Sequence, residues 1–160
     1  MNVLAEEFAE WAKKSGWGVV RSNEKRKLPK KIIERYKKLP KDWLDFAQYF
    51  EDCVNGDNNI WFLCPYNFED DSAFRWNEFE LISLEAAEGD EDWQADIREF
   101  WDNYLPIAMS VGGDYHYYAI CTKTGEVFEG WDPEFEEPEI CTASFTDFIT
   151  RIISGEIKLI

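Results

Sequence analysis

Histidine is almost missing: His116 is the only one in 160 residues. One imidazole is too few for the usual structural zinc sets, which pair close Cys and His ligands. The four cysteines (Cys53, Cys64, Cys121 and Cys141) are widely spaced, and no CxxC pair occurs. That pattern excludes a zinc ribbon or a dithiol redox motif and reads as buried free thiols in a reducing cytoplasm. No apolar stretch approaches the roughly 18 residues of a membrane span. The first ten residues carry three Glu and no basic residue, so they do not read as a secretory signal. Internal repeats and Gly/Ser linkers are absent too, and a single domain over 1–160 is the expectation. Positive charge is scarce, with 17 Lys and Arg against 33 Asp and Glu, a net of −16. This balance argues against nucleic acid or an anionic membrane as the main partner and leaves basic partners open.

What is present is aromatic. Eight Trp and a 17% aromatic share exclude a disordered acidic tail and supply a core. The charge is also divided along the chain. Residues 1–41 hold 12 basic and 5 acidic residues, a net of +7, whereas 42–160 hold 5 basic and 28 acidic, a net of −23.

Periodicity predicts the elements. Leu4, Phe8, Trp11 and Ala12 recur at helical spacing over 2–15, with Glu early and Lys late. Residues 16–27 read as a connector. Leu28-Pro29 and Leu39-Pro40 each place proline where a helix starts, predicting helices over about 29–37 and about 40–53. The second carries the stripe Trp43, Phe46, Ala47, Phe50 and Val54, closed by Asn55-Gly56 as a C-cap. A short strand follows at 60–64, then a loop over 66–75 with an acidic knot at Glu69, Asp70 and Asp71. Residues 76–87 favour helix over strand. Asp90 opens a clear helix over about 91–104 bearing Trp93, Ile97, Phe100, Trp101 and Tyr104. Three strands of a meander follow at 106–111, 114–121 and 126–131, with Gly112-Gly113-Asp114 and Lys123-Thr124-Gly125 as turns. An acidic loop over 132–139 precedes a short strand at 139–142. Ser144 and Asp147 open a last helix that Gly155 ends. The fold class is therefore α+β: a mostly antiparallel twisted sheet, with its central meander over about 106–131 and N- and C-terminal helices among those packed around it. The helices are expected on one face of that sheet.

Chemistry-bearing motifs are weak. Period-2 alternation puts His116, Tyr118 and Ile120 on one sheet face and Tyr115, Tyr117, Ala119 and Cys121 on the other, and His116 reads as a sheet-face residue. Gly112-Gly113 lacks the spacing of a dinucleotide or phosphate loop and reads as a hairpin turn. The acidic loops do not follow the EF-hand ligand pattern. Nine Lys and Arg over 25–41 read as the exposed side of a helix. No catalytic residue, cofactor or metal is implied. From the residues alone the chain is an acidic α+β interaction module.

The order of features carries a resemblance. Leu39-Pro40 opens an aromatic helix ending at Asn55-Gly56, and Leu105-Pro106-Ile107-Ala108 precedes Gly112-Gly113-Asp114-Tyr115 and an aromatic strand. Thr124-Gly125-Glu126-Val127 then leads to Trp131-Asp132, and Ala143-Ser144-Phe145-Thr146-Asp147-Phe148 opens the closing helix. Over about 28–155 this resembles the SUKH superfamily, the Smi/Knr-like domain, leaving 1–27 as an N-terminal helical extension. The resemblance implies helices around a mostly antiparallel sheet. It also implies one of two roles. Bacterial members look like immunity proteins that block a polymorphic toxin, often a nuclease, by binding; fungal members are linked to cell-wall signalling. The expectation is a non-catalytic, cytoplasmic immunity protein, a monomer or weak dimer, that binds a basic toxin domain. Its predicted contact residues are Glu69, Asp70, Asp71, Asp132, Glu134, Phe135, Glu136, Glu137 and Glu139, with Phe135 as an exposed anchor. Reversing Glu136 and Glu137 to Lys is then expected to slow association. The alternatives are a scaffold domain with an endogenous partner and, remotely, a carboxylate-dependent hydrolase.

Overall fold

The structure is a computed structural model and describes residues 2–69 and 74–159. Among these residues are six α-helices and seven strands. The strands are β1 (Gly18–Arg21), β2 (Phe50–Val54), β3 (Ile60–Phe62), β4 (Tyr104–Ser110), β5 (His116–Cys121), β6 (Val127–Trp131) and β7 (Glu139–Thr142). They form one sheet in chain order, each antiparallel to the next. The architecture is α+β, as the patterning implies. No helix among the described residues is long and apolar enough to cross a membrane.

The helices are α1 (Val3–Lys14), α2 (Lys30–Arg35), α3 (Lys41–Tyr49), α4 (Glu78–Ala86), α5 (Glu91–Asn103) and α6 (Phe145–Ser154). Local signals start and stop several of them. Asn2 caps α1 by accepting from the Ala5 N–H at 3.0 Å, and Asp90 caps α5 by accepting from Trp93 N–H at 3.0 Å. Ser144 caps α6, and Gly155 ends it in the left-handed conformation at φ 85°. Pro29 and Pro40 sit at the N-caps of α2 and α3, one position before the first helical turn.

Two segments depart from the sequence expectation. The apolar stripe through Phe50 and Val54 does not continue the helix. α3 stops at Tyr49, and Phe50 turns extended at φ −112° and ψ 144° to begin β2. The reason is a strand partner: Gly18–Arg21, inside the expected connector, pairs with Phe50–Val54. Strand pairing overrides a local periodicity that both conformations satisfy. Asn55-Gly56 consequently forms the β2–β3 turn rather than a helix cap. There Asn55 Oδ1 accepts from Asn59 N–H and Ile60 N–H, each at 2.9 Å.

The helices also occupy both faces of the sheet, not one. Neighbouring residues of β5 demonstrate it. Tyr117 meets Trp101 of α5 and Phe79 of α4, whereas Tyr118 meets Phe148 of α6. On the α6 side, Phe8 of α1 packs against Trp17, Phe46, Phe50 and Phe62. A seven-stranded sheet with apolar side chains on both faces must be covered on both. On the α4–α5 side, Gly130 opposes Tyr117, and a Cβ there would lie 2.6 Å from the Tyr117 ring. The missing side chain lets that ring lie over β6 and reach the loop beyond it.

Candidate functional site

The loop after β6 is built around two inward residues. Phe135 is 1% exposed and stacks on Phe79 of α4, centroids 4.6 Å apart and planes 12° from parallel. The Tyr117 hydroxyl donates to the Phe135 carbonyl. Glu136 is half-buried, and its Oε2 accepts from Ser83 Oγ of α4 and from Trp101 Nε1 of α5, both at 2.8 Å. Burial pushes the Glu136 carboxyl above the usual range, against the pull of those two donors.

These placements correct two expectations. Phe135 is a core residue, not an exposed anchor: it packs against Phe79 of α4 and Tyr117 of the sheet. Glu136 is a structural tie rather than a free surface charge. The other loop carboxylates, Asp132, Glu134, Glu137 and Glu139, are exposed. Glu69 is exposed as well, yet pairs with Arg26 at 3.4 Å, so its charge is offset within the chain. Asp70 and Asp71 lie outside the described residues.

Sequence reasoning misses the surface beside this loop. Ile97 and Trp101 of α5 turn inward, and Glu91, Asp92, Asp96, Glu99 and Asp102 are exposed. Glu85, Glu88 and Asp90 continue the acidic character across the α4–α5 connection. Trp93 stands 48% exposed among them. The usable signal is the helical period of Ile97 and Trp101, which leaves the carboxylates outside. What it does not reveal is that Glu136 fastens the loop to these two helices.

His116 is buried on the α6 face and stacks on Trp131, centroids 4.8 Å apart and planes 2° from parallel. Its Nε2 is 3.9 Å from Glu129 Oε1. Burial beside the Glu129 carboxylate pushes the Cys141 thiol up to about 12. Glu129 therefore stands between the thiol and the imidazole. A nucleophilic cysteine needs the base beside it and a lowered pKa, and this order supplies neither. Outside His116 and Trp131 lies a hollow of about 470 Å³ between the Asn55–Asn59 turn and Gly112-Gly113. A Cβ on Gly112 would come within 2.5 Å of the Asn59 amide, which would then have to shift. Among the described residues no group of three or more His, Cys, Asp and Glu side chains could hold a metal ion.

No family model, no curated protein and no solved structure matches the chain.

Proposed function

We propose that this chain is a non-catalytic immunity-type protein of the Smi/Knr-like kind, acting in the cytoplasm by stoichiometric binding to a basic toxin domain. The observation that carries the reading is the acidic surface of the 132–139 loop and the α4–α5 pair. Asp132, Glu134 and Glu137 are presented on a loop that Phe135 and Glu136 hold from inside. Carboxylates held in place lose less entropy on binding than a flexible acidic tail does. Nucleases and similar toxins need a basic cleft for phosphate, and a fixed acidic surface complements such a cleft. The field of a −16 protein raises the association rate, toward about 10⁸ M⁻¹s⁻¹ at low salt. Trp93 replaces Phe135 as the exposed aromatic anchor that slows dissociation.

The test begins with the product of the neighbouring reading frame as the toxin. Its association with this protein, followed by stopped-flow fluorescence, is expected to slow with added salt and with Glu134→Lys/Glu137→Lys. Trp93→Ala is expected to speed dissociation by at least about tenfold. Association rates indifferent to both salt and charge reversal refute the electrostatic reading, and a neighbouring product that neither binds nor is neutralised refutes the immunity role.

A further inference from the structure

The basic quarter of the chain meets the acidic surface through Arg35, which pairs with Asp102, and it is otherwise built with a shape of its own. The two Leu-Pro pairs, α2 and α3 border a hollow of about 260 Å³. Leu28, Ile33, Leu39 and Leu44 line it, with Lys27 and Lys37 at its edge. Ile32 turns into the core, and Ile33 beside it is 51% exposed. The local cations are treated unequally. Lys25, Arg26, Lys30, Arg35 and Lys41 all have carboxylate partners within the chain. Lys27, Lys31, Lys37 and Lys38 have none among the described residues, and of these four only Lys27 and Lys37 line the hollow.

We propose that the α2–α3 groove is a second docking site, and that it takes a short acidic peptide segment carrying one large apolar side chain. The charge and the volume both select this occupant. A hollow of 260 Å³ is below the roughly 300–1,000 Å³ of a small-molecule pocket and suits an anchoring side chain. An apolar floor offers nothing to a phosphate backbone, and the net charge of −16 repels an extended polyanion or an anionic bilayer before contact. A short segment engages Lys27 and Lys37 within one Debye length, about 8–10 Å, and no acidic side chain lines the hollow itself. The site is separate from the acidic surface, so the protein presents a steering face and a groove to different chemistries.

A random peptide display library panned against the purified full chain tests this directly. The expected consensus places Asp or Glu on either side of a Leu, Ile, Phe or Met. Ile33→Glu is expected to weaken the selected peptide by at least about tenfold. Lys27→Glu/Lys37→Glu is expected to weaken it and flatten its salt dependence, while Glu134→Lys/Glu137→Lys leaves it unchanged. Circular dichroism and the melting temperature show whether Ile33→Glu folds, and Lys37→Glu serves as the second variant at a fully surface position. A basic consensus, no consensus, peptides that still bind both variants, or preferential binding to phosphatidylserine–phosphatidylcholine vesicles each overturn the proposal.

Discussion

Arg35 carries the basic segment into the acidic part of the fold. Its guanidinium donates to Glu80 Oε1 and Oε2 at 2.9 and 2.8 Å and to Asp102 Oδ1 at 2.8 Å, and it lies over the Trp76 and Tyr36 rings. Glu80 is almost wholly buried, so Arg35→Ala leaves a carboxylate without its cation. The expected loss is about 2–4 kcal/mol of unfolding free energy in urea denaturation. Replacing both partners, as Arg35→Met/Glu80→Leu, is expected to recover most of that loss, because no buried charge is then stranded. A double variant as unstable as the single one contradicts this account. Glu136 makes the complementary prediction. Its folded pKa is raised, so between the unfolded value near 4.3 and the folded value the native state binds more protons. Its contribution to stability is therefore greatest at low pH and falls as pH rises through that window. Glu136→Gln keeps an acceptor for Ser83 and Trp101 without titrating. Relative to the parent, its melting temperature is expected to improve as pH rises from 4 to 7; a constant difference argues against the titration.

At the scale of elements, one carboxylate joins two helices. Asp42, in the first turn of α3, accepts from its neighbour Trp43 N–H at 2.9 Å. Its second oxygen accepts from Thr146 N–H at 3.1 Å and Thr146 Oγ1 at 2.8 Å, at the start of α6. A carboxylate thus sits at the positive ends of both helices. Asp42→Ala is expected to lower stability by about 1–2 kcal/mol, and Asp42→Asn by less, in thermal unfolding. Equal losses in the two variants mean that charge contributes nothing. Helices with an N-cap and a period written locally, such as α1, α5 and α6, are legible in the sequence. The β4–β5–β6 meander is legible because its turns carry Gly. β1 and β2 are not: a four-residue strand has too few positions to show alternation, and β2 borrows the tail of a helical stripe. Helices on both faces also escape the reading, because Tyr117 and Tyr118 are equally apolar in a list of residues.

The whole molecule divides its charge. The basic segment lies along α2 and α3, partly neutralised by Glu80, Asp102, Asp45 and Glu69. The rest of the surface stays strongly acidic and repels itself. Added sodium chloride up to about 0.5 M is expected to raise the melting temperature, since screening at a Debye length of a few ångströms relieves repulsion among exposed carboxylates more than it weakens the buried Arg35–Glu80 pair. A melting temperature that falls with salt places the surface ion pairs above the repulsion.

The class of fold, most of the helix ends, the central meander and the separation of charge along the chain are all legible in the residues alone. Each rests on local chemistry: a capping side chain, a turn glycine, a period of 2 or 3.6, a count of charges. That Phe135 lies inside, that Glu136 ties the acidic loop to α4 and α5, and that Lys27 and Lys37 line an apolar groove emerges from the packed chain. Those facts depend on contacts between residues tens of positions apart. Whether an apolar or charged side chain faces solvent depends on what packs opposite it, and that partner is absent from its own stretch of sequence.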